Sequence, residues 1–276
     1  CHAARMDLFD RPARSGLFHR SAGRKVMSGA PVDIERHKRH ILLKEIGGPG
    51  VQKLRGATLS MVGAGALGGP CALYLAAAGV GRLEIWDDDV VDRSNLQRQV
   101  QFGEGDVGQP KAETLATKLQ AAHPDTQVSW HRHRWSESHP LAGDILIDAS
   151  DNFPTRYALN AAAHASRRAL VHGAAAGWSG QVSVFASGLK PGAPCYRCWV
   201  PETPPDAEAC DEVGVVGAMT GMVGAAMALE TVKLITGAGA PLIGRILLMD
   251  GLAGAQRTVK LKADASCSTC GSIHAD

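Results

Sequence analysis

The run Val62-Gly-Ala-Gly-Ala-Leu-Gly68 limits what this chain can become more than any other feature. It reads as the end of a strand, a tight turn and the start of a helix. Glycines at 63, 65 and 68 let backbone N–H groups approach a phosphate at the positive end of that helix. Pro70 falls in the first helical turn, where a missing N–H costs nothing. The next strand, Arg82 to Asp87, ends in a carboxylate 19 residues after Gly68. That is close to the spacing at which an acid meets a ribose hydroxyl in a dinucleotide fold. Taken alone, the turn fits any nucleotide or dinucleotide, or a close helix–strand packing without ligand.

The pattern around the turn extends it into a domain. Strands near 58–63, 82–87, 127–133 and 144–149 alternate with helices near 66–78, 111–122 and 153–166. This order implies right-handed crossovers, a Rossmann-like, mostly parallel α/β sheet, and ligands at the carboxyl ends of the strands. Upstream, an amphipathic helix from Arg36 carries Ile41, Leu42 and Leu43, followed by a Gly-Gly-Pro-Gly break at 47–50 and a short helix near Val51–Leu54. After Leu170 the run 180–186 alternates, a Pro-rich loop spans 191–205, a long helix covers 216–236, and 245–262 reads as paired strands. The second half is therefore more antiparallel and continues the same sheet. We expect one domain over 31–276, with a nucleotide-binding half at about 56–170 and a second half at about 171–276. Residues 1–30, arginine-rich and poor in acids, mildly resemble a transit peptide, and Met27 reads as a natural start; this extension is expected to be disordered.

Bulk properties narrow the class. A formal charge of +2 gives no electrostatic case for nucleic acid or membrane, and 45% apolar content is that of a globular chain. The uncharged stretches Gly56–Gly81 and Val213–Leu229 read as buried elements; the second falls short of the roughly 20 residues of a membrane span. Seven cysteines, an odd number, include two C-x-x-C pairs. This favours metal binding in a reducing, cytoplasmic compartment over a disulfide framework. Residues 1–26 lack the apolar core of a secretory signal.

Several residues fit chemistry on phosphates. Arg98, in the polar loop Ser94-Asn95-Leu96-Gln97-Arg98-Gln99, carries a planar fork suited to phosphate oxygens, although an arginine in such a loop is also at home in solvent. Pro110 marks the expected first helical position, so Lys111 puts a cation at a helix N-terminus, where the macrodipole disfavours it unless an anion sits opposite. Asp151 follows the strand at 144–149 and can hold Mg²⁺ with its waters, while Asp151 or Asn152 can also cap the next helix.

Cys195, Cys198, Cys267 and Cys270 supply the four thiolates of a closed structural Zn²⁺ site, with redox use of one pair as the alternative. The 68 residues between the pairs exceed a compact zinc ribbon, so the metal would staple the C-terminal tail to the crossover loop. Cys210 lies between opposing influences: a following helix would lower its pKa, and Glu208, Asp211 and Glu212 would raise it. A nucleophilic role and an inert one stay equally open. Cys71 reads as core, His131 and His133 as one face of an exposed edge strand, and Met219, Met222 and Met227 among glycines as close helix packing or an oligomer seam.

The ordered set VGAGALG at 62–68, AAAGVG at 76–81, DDD at 87–89, SNLQRQ at 94–99, VGQPK at 107–111, SDN at 150–152, CYRC at 195–198 and the terminal C-x-x-C-G resembles the ThiF/MoeB/HesA family. These are bacterial relatives of ubiquitin-activating enzymes that adenylate sulfur-carrier proteins, and the match runs from about Arg36 to Gly271. The resemblance implies ATP as cosubstrate, with Asp87 on the ribose, Asn95, Arg98 and Lys111 on the nucleotide, and Asp151 on Mg²⁺. It further implies a homodimer in which Arg39, in Arg36-His-Lys-Arg39, enters the partner's site; the aromatic residue usual after the first arginine is His37 here. Cys210 matches a position that in some members captures the activated carboxylate or handles sulfur. The expected partner is a small ubiquitin-like carrier ending in Gly-Gly, bound by the second half in a groove running past the zinc loop to Asp151. No sulfurtransferase domain follows Cys270, so a separate sulfur donor is expected, for molybdopterin or thiamine synthesis.

Three other readings share parts of this pattern. A nicotinamide-dependent oxidoreductase would use the glycine turn and Asp87 but not Arg98, Lys111 or the cysteines. A non-catalytic zinc-stabilised scaffold would keep the carrier surface without turnover. A tRNA threonylcarbamoyladenosine dehydratase would share the nucleotide half, but the CYRC loop and cysteine pairs point to carrier-protein members.

Overall fold

The computed structural model describes residues 32–204 and 214–271. The expected disorder of 1–30 and the expectations for Cys210 fall outside those residues. Eight strands form one sheet in the order β3-β2-β1-β4-β5-β6-β7-β8. They are β1 Thr58–Val62, β2 Arg82–Trp86, β3 Gln127–His131, β4 Ile145–Asp148, β5 Ala169–Ala176, β6 Ser179–Phe185, β7 Arg245–Asp250 and β8 Ala255–Lys260. From β3 to β5 all neighbours are parallel. From β5 to β8 they are antiparallel, so the second half does continue the first sheet. The helices are α1 Ile34–Ile41, α2 Gly47–Gly56, α3 Gly68–Ala77, α4 Lys111–Ala122, α5 Phe153–Ala165, α6 Tyr196–Trp199 and α7 Gly217–Thr236. Strand order reverses between β1 and β4, which opens a crevice at their carboxyl ends, where doubly wound sheets bind ligands.

Both faces of the sheet are covered, which is why β1 and β4 are apolar runs rather than alternating ones. One core joins the sheet to α2, α3, α4 and α7. The other gathers Trp86, Trp135, Leu159, Phe185 and Tyr196 on the face carrying α5 and α6.

Helix α7, 20 residues holding an 18-residue stretch of mean hydropathy 1.3, is long and apolar enough to cross a membrane by length and composition. In this fold it packs on α3, β5 and β6, burying Met219, Val223 and Met227. The sheet makes room for it: a Cβ on Gly173 would stand 2.4 Å from the Met227 sulfur, and one on Gly180 would stand 2.5 Å from Val223. Helix packing thus accounts for Met219 and Met227, while Met222 is half exposed on the outer side.

Four local expectations differ from the structure. The segment Gly47-Gly48-Pro49-Gly50 is not a break but the first turn of α2. Proline is tolerated there because first-turn N–H groups have no intrahelical acceptor anyway. The Pro-rich loop contains the short helix α6 at the first cysteine pair. Strand β3 ends at His131, so His133 lies beyond it, while β3 is the sheet edge as expected. Pro110 is the N-cap of α4 with an extended ψ of 130°, and Lys111 is the first helical residue.

Candidate active site

The glycine turn is built by contacts that exclude side chains. Gly63 has φ 100°, and a Cβ there would lie 2.4 Å from the Ala149 carbonyl oxygen. A Cβ on Gly68 would lie 1.9 Å from the carbonyl oxygen of Gly63, so the start of α3 rests directly on the end of β1. Both atoms met are backbone and cannot rotate away. Gly68→Ala therefore destabilises the protein by about 3 kcal/mol, in the upper range of overpacking. Urea unfolding measures this; an unchanged midpoint and slope would contradict the packing.

Asp87 follows β2 and binds the turn as well as facing the crevice. Its Oδ2 accepts the Ala64 N–H at 2.7 Å and its Oδ1 accepts the Asp89 N–H at 2.9 Å. Burial raises its carboxyl above the ordinary value, partly offset by those two N–H groups and by Lys111. Each carboxylate oxygen retains acceptor capacity, so a ribose hydroxyl can still be met.

Lys111 does face an anion, and that anion belongs to the protein. Its Nζ donates to Asp89 Oδ2 at 2.7 Å, and its own N–H donates to the Asp89 carbonyl at 2.9 Å. The lysine side chain is 8% exposed and its partner 56%. The cation is thus held at the crevice by a carboxylate that solvent can reach. Arg98, half-buried, donates through one terminal nitrogen to the Ser94 carbonyl at 3.0 Å, which leaves its other donors for a ligand.

After β4, Asn152 caps α5 by accepting the Thr155 N–H at 3.0 Å, leaving the adjacent Asp151 carboxylate exposed. Of the two capping candidates, Asn152 therefore does that work. Just before them, fully buried Asp148 accepts from His172 Nδ1 at 2.8 Å and from the Ser150 hydroxyl at 2.6 Å. Burial would raise Asp148, but these hydrogen bonds and the charges of His172 and Arg156 outweigh it and hold it below the usual carboxylate range. This pair anchors the loop that carries Asp151, and sequence reasoning missed it because its members are 24 residues apart on neighbouring strands.

A single cavity of about 1150 Å³ collects Gly63, Gly65, Asp87, Arg98, Lys111 and Asp151. Gly68 does not line it; that glycine packs against the Gly63 carbonyl instead. Asn95 does not line it: its side-chain oxygen accepts the Asp92 N–H at 3.3 Å in a local capping box. The cavity also takes in Trp86, Gln99 and Arg134, which the sequence reading did not single out. Trp86 stacks on His131 with ring centroids 3.6 Å apart, so that histidine is packing rather than ligating. The cavity continues over the antiparallel strands to Gln181, Leu248 and Arg257.

Arg39 is exposed on α1 and does not line this cavity in its own chain. His37 of the same helix packs over Gly79, just past the C-terminal end of α3. The glycine turn is at the other end of that ten-residue helix, about 15 Å away.

The four cysteines converge. Their sulfurs all lie within 4.8 Å of one another, with Cys195–Cys198 at 3.9 Å, Cys195–Cys267 at 3.5 Å and Cys198–Cys270 at 3.5 Å. A tetrahedron of thiolates about 2.3 Å from zinc has edges of about 3.8 Å, so the set fits that ion. Burial pushes the Cys195 thiol up to about 11 and raises Cys270 as well. At Cys267 burial is outweighed by the N–H groups of Cys270 and Thr269, which favour the thiolate. A bound cation is what would deprotonate the whole group.

We expect one zinc per chain. Cys198→Ser removes it at a cost of at least about 3 kcal/mol, shifting the thermal midpoint down by about 6–12 °C. Metal analysis with calorimetry checks both; a metal-free wild type with an unchanged midpoint in the variant would exclude structural zinc.

Comparison with known proteins gives a consistent result. A family model described as the ThiF family matches residues 37–269. The SAMP-activating enzyme E1 of Haloferax volcanii is 43% identical over 247 residues, covering 86% of this chain and 89% of that protein. The sulfur carrier protein adenylyltransferase of Thermus thermophilus is 40% identical over 247 residues, covering 87% and 91%. The adenylyltransferase and sulfurtransferase MOCS3-1 of Zea mays is 42% identical over 249 residues, and the chain spans about half (53%) of its length. Among solved structures, Escherichia coli MccB with MccA-N7isoAsn superposes with a TM-score of 0.76 at 19% identity, covering 86% of this chain and 74% of MccB; this likeness concerns the fold.

Proposed function

The chain belongs to the ThiF family, and from that membership we propose that it adenylates the C-terminal carboxylate of a small ubiquitin-like sulfur carrier ending in Gly-Gly. The observation that carries this reading is the convergence of the glycine turn, Asp87, Arg98, Lys111 and Asp151 on one cavity that runs on across β6, β7 and β8. At about 1150 Å³ it exceeds the roughly 300–1,000 Å³ usual for one small ligand. A nucleotide at the crevice leaves the antiparallel end for an extended peptide tail.

In the reaction, a carboxylate oxygen of the carrier attacks the α-phosphorus of ATP. That P–O bond forms as the bond to the β-phosphate oxygen breaks, giving an acyl adenylate and pyrophosphate. The protein's part is positioning and charge neutralisation rather than a strong base. Arg98 and Lys111 hold phosphate oxygens and Asp87 orients the ribose. Asp151 is the carboxylate available for Mg²⁺, which would neutralise phosphate charge when bound.

The adenylate would be converted to a thiocarboxylate by a separate sulfur donor, for molybdopterin or thiamine synthesis. Four free thiols at the zinc cluster suit a reducing cytoplasm.

A homodimer completes the reading. Tyr74 and Leu229 are each 60% exposed on the outer faces of the paired helices α3 and α7, an apolar surface that a second copy would cover. Arg39, which does not line its own cavity, would then serve the partner's, as the family resemblance implies.

Incubation with ATP, Mg²⁺, pyrophosphatase and candidate carriers, followed by mass spectrometry, tests the substrate assignment. A carrier ending in Gly-Gly gains the mass of an adenylate, and one lacking the last glycine does not. Adenylation of a free small-molecule carboxylate in place of the carrier would overturn it.

A further inference from the structure

Gln101, two residues past the SNLQRQ run, reaches back beneath the glycine turn. Its side chain is buried, and its amide nitrogen donates to the carbonyl oxygens of Ala64 at 2.9 Å and of Gly65 at 3.0 Å. The amide oxygen has no partner among the described residues, so the two carbonyls alone decide which way the amide faces. Reversing it would set an oxygen against both carbonyls. The space is reserved for it: a Cβ on Gly69 would stand 2.2 Å from the Gln101 amide.

The consequence follows from peptide geometry. In a planar trans peptide the carbonyl and the next N–H point in opposite directions. No peptide in the described chain is cis. Holding the Ala64 carbonyl down therefore turns the Gly65 N–H away from Gln101, and holding the Gly65 carbonyl does the same to the Ala66 N–H. Gly65 and Ala66 line the cavity and Gln101 does not. The Ala64 N–H is meanwhile taken by Asp87 at 2.7 Å. The Gly65 carbonyl also accepts the Gly69 N–H at 2.9 Å. The turn is thus fixed from below by Gln101 together with the first turn of α3, and from the side by Asp87, and peptide planarity turns its two intervening N–H groups to the side opposite Gln101.

We infer that Gln101 is a positioning residue that sets the phosphate-binding amides of the turn by clamping the carbonyls behind them. This rests on the nucleotide reading of the cavity. It locates part of the phosphate affinity in a side chain that touches no ligand, and it assigns the effect to the phosphates rather than to the nucleoside.

The test compares wild type, Gln101→Leu and Gln101→Glu. Leucine fills the space without donors, and glutamate keeps the shape but opposes two carbonyls with an oxygen. Calorimetry measures ATP affinity, competition measures adenosine, and thermal unfolding monitors the fold. ATP affinity falls about tenfold in Gln101→Leu and further in Gln101→Glu, while adenosine affinity stays within about twofold of wild type. Unchanged ATP affinity in Gln101→Leu would overturn the clamp and leave the nucleotide reading standing. Equal loss of ATP and adenosine would overturn it by assigning Gln101 a general structural role. Failure of the wild type to bind ATP would overturn both.

Discussion

Replacing Arg98 or Lys111 with alanine lowers adenylate formation by about two powers of ten or more, the effect of deleting a donor that acts on developing charge. The two variants reach that loss differently. Arg98 is held by one hydrogen bond to the Ser94 carbonyl, so its removal leaves no buried partner behind. Removing Lys111 strips Asp89 of its 2.7 Å ion pair, but Asp89 is more than half exposed and is rehydrated rather than stranded. The fold survives in both variants, with stability changes of about 1 kcal/mol or less expected for a pair with one solvent-facing member. Freed of Lys111, Asp89 also leaves an uncompensated negative charge at the mouth of a site for a polyanion. The Lys111 variant is therefore expected to lose ATP affinity as well as rate. Steady-state kinetics with circular dichroism separate these effects. Near-normal rates in both variants would remove these residues from the chemistry.

Mixing two inactive proteins restores activity. Arg39→Ala keeps its own phosphate-binding residues but offers no arginine to its partner; Arg98→Ala does the reverse. In a mixed dimer, the site on the Arg39→Ala protomer has its native Arg98 and receives the native Arg39 of the other. Random exchange makes half the dimers mixed, each with one complete site, so activity returns to about a quarter of wild type. The expectation stems from the family resemblance, which puts Arg39 in the partner's site, and it is compatible with an Arg39 that is exposed and does not line its own cavity. If the mixture stays inactive after subunit exchange is verified, Arg39 does not act across an interface.

The nucleotide half was readable because its signals are local. Apolar runs at 58–62 and 145–148 and the glycine turn each specify their element within a few residues. The cysteine pairs were readable because their spacing is a ligand pattern, even with 68 residues between them. What escaped is set by partners distant in sequence. Strand β5, ALVHGAAA in sequence, lacks the bulk of a typical strand in its second half, where Gly173 lies under the Met227 side chain of α7 and Ala174, Ala175 and Ala176 line the cavity. The Gly-Gly-Pro-Gly segment read as a break because its residues usually punctuate, yet a helix start tolerates them. The Asp89 anion opposite Lys111 and the Asp148–His172 pair depend on sheet topology, which places a loop and a neighbouring strand beside residues more than 20 positions away.

Carrier-dependent exchange of labelled pyrophosphate into ATP tests the central claim most directly, because it requires the reversible attack of a carrier carboxylate on the α-phosphorus and nothing downstream. The account predicts exchange when ATP, Mg²⁺ and a cognate carrier ending in Gly-Gly are all present, and its loss when any one is withheld. Binding of ATP and carrier without exchange would contradict it and leave the protein a scaffold rather than an enzyme.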